Sequence, residues 1–357
     1  FSMMLEHFGW NLFFADAFRP YAAAGCAAAR VCLAHRGLFH VFSERGEIEA
    51  QVSGRFRHAA SASAWPVVGD WVALRGGGSG AQIDAVLPRR SKFSRKQPGA
   101  ATEEQILAAN IDIVFLVCGL DGDFNLRRLE RYLLLAAESG AAPVIVLNKA
   151  DLRPHGRDCL EQAAAIAAGA PVVVVSALTG QGLERLVLHA APGQTAALLG
   201  SSGAGKSTIV NRLLGFDAQR VAPAGERDGR GRHTTTHRQL ILMPQRWLLM
   251  DLPGLRELQL WTDAEASDDP IEAAFPDIAA LAALCRFRDC RHQGEPGCAV
   301  RQAIEEQRLD AGRLRSYAKL GRELDHLEAR QDQRAAAEQK RRVKQMHRAP
   351  RQLYKRG

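Results

Sequence analysis

The chain has 357 residues, of which 46% are hydrophobic and 24% charged, with a formal net charge of +8 at pH 7. This composition excludes a disordered chain, and the length favours two or three domains over one small core. No apolar run reaches the roughly 20 residues that span a bilayer, and the N-terminus lacks a secretory signal pattern, so we expect a cytoplasmic protein with no membrane association.

After an N-terminal extension over residues 1–27, residues 28–95 have the pattern of five short strands separated by Gly and Pro turn signals. The predicted strands are 29–33, 38–43, 48–52, 69–74 and 82–87. Such closely spaced strands favour a small barrel of the oligonucleotide-binding (OB) type, although periodicity alone establishes only an all-β unit. The basic stretch 89–96 that follows favours an RNA-binding barrel over a purely structural one.

Between residues 105 and 262, apolar strands alternate with amphipathic helices, which is typical of a doubly wound α/β sheet. The predicted strands are 111–117, 143–147, 171–175, 195–199, 239–243 and 247–250. Helices are expected between the first five, and the clearest covers residues 126–139. The last two strands are so close in sequence that they should form an antiparallel hairpin at a sheet edge.

Within this region, Asn148-Lys149-Ala150-Asp151 follows a predicted strand and indicates base recognition. The Asp151 carboxylate can accept hydrogen bonds from guanine N1–H and from the exocyclic amine, two donors that adenine does not present together. We expect Asn148 to tie this segment to the phosphate loop and the stem of Lys149 to cover the base. The Ala177 N–H, beside Ser176, should face guanine O6.

The segment from Gly200 to Ser207 has the Gly-x4-Gly-Lys-Ser pattern of a phosphate-binding loop between a strand and a helix. Its glycines let successive N–H groups face phosphate oxygens. Lys206 should reach the β and γ phosphates, and the Ser207 hydroxyl should bind Mg²⁺. The predicted phosphate-binding residues are Gly200, Ser201, Ser202, Gly203, Ala204, Gly205, Lys206, Ser207 and Thr208.

Asp251-Leu252-Pro253-Gly254 follows the last predicted strand. Asp251 should hold Mg²⁺ through water, and the Gly254 N–H should contact the γ-phosphate. The Gly- and Arg-rich stretch 229–237 is a candidate switch segment in which Thr235 closes over Mg²⁺ and the γ-phosphate. The alternative is a polar surface loop.

Leu255 stands where Ras-type enzymes carry the glutamine that orients the attacking water, and its side chain forms no hydrogen bonds. We therefore expect slow unaided hydrolysis, in which either His233 positions water or a partner supplies the missing group. The candidate catalytic residues are Lys206, His233, Thr235 and Gly254. Two alternatives stay open: a non-catalytic RNA-binding factor that uses GTP as a conformational lock, and a translation factor acting on whole ribosomes.

Cys285, Cys290, His292 and Cys298 lie close together in a predicted C-terminal domain over residues 270–357. Three thiolates and one imidazole form a closed tetrahedral donor set, so we predict a structural zinc site rather than free thiols. A charged helix follows from about residue 316 to residue 346. The clustered basic residues between 340 and 356 also favour a polyanionic partner.

The guanine motif precedes the phosphate loop, whereas conventional GTPases begin with that loop, so we predict a circularly permuted GTPase domain over residues 105–262. The chain resembles the RsgA (YjeQ) family of circularly permuted GTPases. The resemblance lies in segments 66–72, 89–96, 119–125 and 231–236, the guanine and phosphate motifs, and the Cys/His array.

The resemblance implies an N-terminal OB barrel, a permuted GTPase domain and a zinc-binding helical domain. It also implies GTP hydrolysis stimulated by the small ribosomal subunit, late in the maturation of that subunit, with binding to its rRNA. We expect a monomer with Zn²⁺ and Mg²⁺ as cofactors. Our hypothesis is that GTP fixes a ribosome-binding arrangement and that hydrolysis relaxes it.

Overall fold

The computed structural model describes residues 3–35, 37–59, 61–77, 80–96, 104–152, 157–215, 239–251, 269–327 and 329. Among these residues, every helix is too short or too polar to cross a bilayer.

Five strands close into a barrel near the N-terminus. They are β1 (Ala27–His35), β2 (Leu38–Ser43), β3 (Gly46–Val52), β4 (Trp71–Arg75) and β5 (Ala81–Val86), with helix α3 (Gly54–Ala59) and a 3₁₀ turn (Ala62–Ala64) after β3. The pairs β1–β2, β2–β3 and β4–β5 are antiparallel, β3–β5 is parallel, and an antiparallel β1–β4 pair closes the ring. Val31, Val41, Val72 and Ile83 fill the interior. The closed barrel confirms the predicted architecture.

Two helices, which the sequence pattern does not predict, precede the barrel. They are α1 (Met3–Glu6) and α2 (Leu12–Ala23). The Asn11 side chain accepts a hydrogen bond from the Phe14 N–H and so caps the start of α2. Phe14 and Phe18, four residues apart on one helix face, pack with Trp71 of the barrel. This aromatic spacing after an asparagine was the available sequence signal.

The second unit is the predicted doubly wound sheet. Its strands are β8 (Ile113–Gly119), β9 (Ala142–Asn148), β10 (Val172–Val174), β11 (Thr195–Gly200), β12 (Gln239–Leu242) and β13 (Leu248–Asp251), in the order β10-β9-β8-β11-β13-β12. Its helices are α4 (Leu126–Ser139), α5 (Arg157–Ile166), α6 (Leu183–Val187) and α7 (Lys206–Leu214). Successive β8 side chains enter the two cores on opposite faces of the sheet, with α4 and α5 on one face and α6 and α7 on the other.

The predicted hairpin between β12 and β13 is present and antiparallel. Its expected position at a free sheet edge is wrong. Leu33 of β1 pairs with Gln239 of β12, so the sheet continues into the barrel. The nine-residue strand β1 extends past the part that pairs with β4, and this extension contacts the start of β12.

The basic stretch 89–96 is largely occupied by internal contacts. Arg89 donates to both carboxylate oxygens of Asp70 at 2.7 Å, and also to the carbonyls of Ser63 and Trp65. Asp70 is fully buried. Arg89 is therefore a structural residue, because a buried carboxylate needs a charged partner, and the expectation that it faces a polyanion is wrong. Within the same stretch, β6 (Lys92–Lys96) pairs with β7 (Glu104–Ala109) in an antiparallel hairpin that the strand pattern does not predict.

The C-terminal helices pack against α4. They are α8 (Pro270–Ala274), α9 (Pro276–Ala282), α10 (Ala299–Glu305) and the helical residues 311–327. Phe275, Val300 and Leu320 share one apolar core with Leu129 and Leu133 of α4. Beside this core, Arg313 bonds to Glu130 of α4 at 3.1 Å and to Asp277 at 2.6 Å. The C-terminal helices are therefore joined to the doubly wound sheet by apolar and ionic contacts.

Candidate nucleotide site and metal centre

The carboxyl ends of three parallel strands meet at one edge of the sheet. β9 ends at Asn148, β11 ends at Gly200, and β8 ends between them at Gly119. In open parallel sheets, ligands bind outside these strand ends. The guanine motif and the phosphate loop therefore lie at the edge where a nucleotide site is expected, although 56 residues separate Asn148 from Ala204.

Asn148 joins the two motifs through its side-chain amide. Its Nδ2 donates to the Ala204 carbonyl at 2.9 Å, and its Oδ1 accepts from the Ala177 N–H at 3.0 Å. All three residues are buried. A Cβ at Gly205 would lie 2.2 Å from Asn148 Nδ2, and Gly205 has φ +94°, so this contact requires glycine. The expected tie between the guanine motif and the phosphate loop is present.

The base-recognition residues are held by a second set of bonds. The Ser176 hydroxyl donates to Asp151 Oδ1 at 2.5 Å, which fixes one carboxylate oxygen and leaves Oδ2 to accept from a base. Ala177 differs from expectation, because its N–H donates to Asn148 rather than pointing away from the protein. A contact from this N–H to guanine O6 must therefore share or replace that internal bond.

The phosphate loop runs into the N-terminus of α7, which begins at Lys206. Gly203 and Gly205 have φ values of +83° and +94°, which only glycine adopts without strain. The Lys206 Nζ donates to the Gly200 carbonyl at 2.7 Å and to the Ser201 carbonyl at 2.6 Å. Ser202, Ser207 and Thr208 are exposed at the loop and in the first turn of α7. When a nucleotide binds, phosphate oxygens would replace these two carbonyls as the acceptors of the Lys206 ammonium group.

Sequence reasoning did not single out Asp121 and Asp123, which follow β8. Asp121 Oδ2 binds the Lys149 ammonium at 2.5 Å, and Asp123 Oδ2 accepts from the Ser201 hydroxyl at 2.5 Å. The hydrogen bond from Lys149 is the main cause of the lowered pKa of Asp121. The only sequence signal was their place in segment 119–125, because their partners are 28 and 78 residues away.

Several predicted residues lie outside the described residues. They are His233, Thr235, Leu252, Gly254, Leu255, the rest of the candidate switch stretch 229–237, and the basic residues between 340 and 356. For Asp251 the structure gives the backbone, which ends β13.

The second candidate site is the cluster of Cys285, Cys290, His292 and Cys298, whose ligand atoms all lie within 4.8 Å of one another. His292 Nδ1 lies 3.7 Å from Cys285 Sγ, 3.5 Å from Cys290 Sγ and 3.4 Å from Cys298 Sγ. The Sγ atoms of Cys285 and Cys298 are 4.0 Å apart.

These separations fit tetrahedral zinc. With Zn–S of about 2.3 Å and Zn–N of about 2.0 Å, sulfurs lie about 3.8 Å apart and sulfur and nitrogen about 3.5 Å apart. The four donors are soft or borderline and leave no open position for a water molecule. The residues therefore fit a structural zinc ion, which they could hold through three thiolates and the Nδ1 atom of His292.

A short turn holds the metal ligands together. His292 has φ +60°, and the Arg286 N–H donates to the Gly297 carbonyl across the loop. The Glu295 carboxylate accepts from the N–H groups of Arg291, Gln293 and Gly294 at 2.7–3.0 Å. Hydrogen bonds from backbone N–H groups lower the pKa of Glu295 to about 2, and the largest contribution comes from the N–H of Glu295 itself.

Comparison with known proteins gives one consistent family. A family model described as RsgA GTPase matches residues 86–261. The small ribosomal subunit biogenesis GTPase RsgA of Opitutus terrae is 49% identical over 98% of this chain and 97% of its own length. The protein of the same name from Syntrophotalea carbinolica is 41% identical over 96% of this chain and 95% of its own.

Two solved structures share the fold. YjeQ from Thermotoga maritima aligns with a TM-score of 0.62 and 26% identity, covering 84% of this chain and 98% of that one. YloQ, described as a circularly permuted GTPase, aligns with a TM-score of 0.61 and 23% identity, over 85% of this chain and 96% of its own. The order of motifs and strands found here is thus that of a permuted GTPase.

Proposed function

The chain belongs to the RsgA family of circularly permuted GTPases, and from this we propose that it hydrolyses GTP to GDP and phosphate during late maturation of the small ribosomal subunit. The observation that carries the proposal is the pair of bonds through which Asn148 joins the guanine motif to the phosphate loop. A non-catalytic binding factor is not favoured, because the matching relatives are named as GTPases.

Guanine recognition is assigned to Asp151 and its neighbours. The Asp151 carboxylate accepts from N1–H and the exocyclic amine while Ser176 holds one of its oxygens. An adenine base would leave this carboxylate without matched donors, so ATP is disfavoured. Lys149 covers one face of the base with its alkyl stem, and the Ala177 N–H contributes to O6.

Phosphate binding is assigned to the loop from Gly200 to Thr208. Its backbone N–H groups and the N-terminus of α7 surround the phosphates, and Lys206 binds the β and γ groups. Ser207, Asp251 through water, and Thr235 would hold Mg²⁺, which when bound neutralises charge on the β and γ phosphates. The Gly254 N–H contacts the γ-phosphate and so distinguishes GTP from GDP.

Stimulation by the small ribosomal subunit follows from the chemistry of Leu255. Its side chain cannot orient water, so the unaided rate is low. Either His233 positions the water when the subunit is bound, or the subunit itself supplies the missing group. Binding to the subunit rRNA is assigned to the barrel, the zinc-binding domain and the basic C-terminal tail.

We also propose that GTP fixes the arrangement that binds the subunit and that hydrolysis relaxes it. The protein acts in the cytoplasm as a monomer. The molar mass of the purified protein, measured by light scattering, tests the monomeric state. Equal affinities of the GTP-bound and GDP-bound forms for small subunits would contradict the switch.

The proposed function is tested by measuring GTP hydrolysis by the full chain with and without purified small subunits. We expect strong stimulation in the wild type and its loss in Ser207→Ala, while the exposed Ser61→Ala serves as the matched control. His233→Ala, with His189→Ala as control, should lose stimulation if His233 positions water. An absence of stimulation in the wild type would contradict the proposal.

A further inference from the structure

Segment 119–125 lies between the two halves of the nucleotide site. It follows β8, which the sheet order places between β9, with the guanine motif, and β11, with the phosphate loop. Its sequence, Gly-Leu-Asp-Gly-Asp-Phe-Asn, carries two carboxylates within three residues. Carboxylates beside a polyphosphate site oppose anion binding unless nearby groups neutralise them. Their presence at this position therefore requires a physical reason.

Asp121 contacts both its own turn and the guanine motif. Its Oδ1 accepts from the Asp123 N–H at 3.0 Å, and its Oδ2 binds Lys149 Nζ at 2.5 Å. Both side chains are partly exposed, at 30% and 27%. A Cβ at Gly119 would lie 2.7 Å from Asp121 Oδ1 and 3.4 Å from Lys149 Cδ, so the approach of the two side chains depends on that glycine. The ammonium group of Lys149 is thus held by Asp121, and its backbone adopts a positive φ of +65°.

Asp123 contacts the phosphate loop and helix α4. Its Oδ2 accepts from the Ser201 hydroxyl at 2.5 Å, and its Oδ1 pairs with Arg128 of α4 at 2.8 Å. Its backbone carbonyl accepts a further bond from Arg128. The charge of each carboxylate is therefore neutralised by a cation, Asp121 by Lys149 and Asp123 by Arg128.

A purely local role does not account for these bonds. The start of α4 is already capped by Asn125, whose side chain accepts from the Arg128 N–H, and the turn itself uses only Asp121 Oδ1. Asp123 also binds Arg128 of α4, but the bonds from Asp121 to Lys149 and from Asp123 to Ser201 reach residues of the nucleotide motifs.

On the basis of the proposed GTPase function, we propose that Asp121 and Asp123 are positioning residues. Asp121 holds Lys149 over the base, and Asp123 holds Ser201 and with it the start of the phosphate loop. Both act before chemistry, so both should affect binding of GTP and GDP alike.

Two double-mutant cycles test this inference. Asp123→Ala and Ser201→Ala remove the same hydrogen bond from opposite sides, as Asp121→Ala and Lys149→Ala remove the same ion pair. Asp121→Ala, Asp123→Ala and Ser201→Ala should each weaken GDP binding by about three- to tenfold, which corresponds to one lost hydrogen bond or exposed ion pair. Lys149→Ala should weaken it further, because this change also removes the stem that covers the base. In each cycle, the double variant should bind little more weakly than the weaker single variant, because the interaction is already lost.

Binding of a fluorescent GDP analogue to the full chain is the readout. KM for GTP should rise while kcat stays within about twofold, a split that general destabilisation does not produce. Asp123→Asn retains an acceptor for the Ser201 hydroxyl and should recover most of the affinity lost in Asp123→Ala. Asp16→Asn, on the exposed surface of α2, is the matched control and should bind as the wild type does.

The unfolding midpoint of each variant is measured as well, because a lowered midpoint distinguishes a destabilised fold from a specific loss of nucleotide binding. If Asp123→Ala fails to fold, Ser201→Ala tests the same bond without removing a charge. Wild-type affinity in folded Asp121→Ala and Ser201→Ala, or full additivity in both cycles, would overturn the inference. Failure of the wild type itself to bind GDP would instead overturn the proposed function.

Discussion

Asn148 shows how one side chain determines the geometry of a site built from distant segments. Its amide uses its donor for the phosphate loop and its acceptor for the Ala177 N–H, so both motifs are fixed by one planar group. The residue is 1% exposed, which means that water cannot replace either bond.

We predict that Asn148→Ala weakens GDP binding by at least about tenfold, because two buried backbone groups lose their partners. Titration of the full chain with a fluorescent GDP analogue measures this effect. Asn11→Ala, which removes the cap of α2 far from the site, is the control and should leave affinity unchanged. An unaltered affinity for GDP in Asn148→Ala would show that the two hydrogen bonds of Asn148 do not support nucleotide binding.

Asp151 determines which base is bound. Asp151→Asn replaces one acceptor by a donor, which matches xanthine, whose C2 carries an oxygen instead of an amine. We predict that this variant loses affinity for GDP by about a hundredfold or more and prefers xanthosine diphosphate. Competition between the two nucleotides measures the preference. A variant that still prefers GDP would contradict the assigned role of Asp151.

At the residue scale, site residues that belong to contiguous motifs can be identified from the sequence alone. Asn148, Asp151 and the phosphate-loop glycines were identified because their spacing reflects local backbone geometry. Asp121, Asp123 and Arg89 were not, because their partners depend on which strands become neighbours. Arg89 illustrates the error, since a basic run looks the same whether its charges face solvent or a buried Asp70.

At the scale of elements, helix α4 joins the nucleotide edge to the C-terminal helices. Its first turn carries Arg128, which pairs with Asp123, and its next turn carries the buried Glu130, which accepts from Arg127 at 2.6 Å and from Arg313 at 3.1 Å. The Arg313 guanidinium also lies 4.7 Å from the ring centroid of Phe275. Burial acts to lower the pKa of Arg313, but Asp277 and Glu130 outweigh it and the pKa is raised.

We predict that Arg313→Ala destabilises the packing of the C-terminal helices on α4 by about 3–5 kcal/mol, because it leaves the buried Glu130 without one of its charged partners. Arg308→Ala removes an exposed ion pair with Glu306 and should cost less than about 1 kcal/mol. Urea denaturation, combined with hydrogen exchange over residues 270–327, measures both. Equal effects of the two substitutions would contradict the structural role of Arg313.

The metal loop gives a second prediction at this scale. The full chain should contain one zinc ion per molecule, and chelation should unfold the loop between Cys285 and Cys298 and reduce the helicity of α10. Cys298→Ser should lose zinc, whereas Cys26→Ser in the barrel region should retain it. Metal analysis and circular dichroism measure these changes. Full retention of helicity after complete removal of zinc would contradict a structural role.

The elements that the sequence predicted well are those with strong periodicity. Helix α4 covers the predicted residues 126–139, and each barrel strand overlaps its predicted range. The hairpin of β6 and β7 was missed because its basic side chains obscured the alternation of its strands. The contact between β12 and β1 could not be foreseen, since edge pairing between units depends on how they pack.

At the scale of the whole molecule, buried contacts fix the barrel against the GTPase sheet. Arg30 of β1 is 2% exposed and donates to the Asn110 carbonyl at 2.9 Å and to the Thr195 hydroxyl at 2.8 Å. Together with the β1–β12 pairing, these bonds attach the barrel to the start of β11, the strand that leads to the phosphate loop. The C-terminal helices are attached to the sheet through α4. Buried contacts therefore connect the sheet edge that carries the nucleotide motifs both to the barrel and to the C-terminal helices.

Competition binding is the most direct test that the permuted motifs form one guanine-nucleotide site. The full chain is titrated with a fluorescent GDP analogue and then with unlabelled GDP and ADP in parallel. We predict that GDP competes at least about a hundredfold more strongly, because ADP leaves the Asp151 carboxylate without its donors. Equal competition, or stronger competition by ADP, would contradict the convergence of Asp151 and the phosphate loop on a single guanine nucleotide.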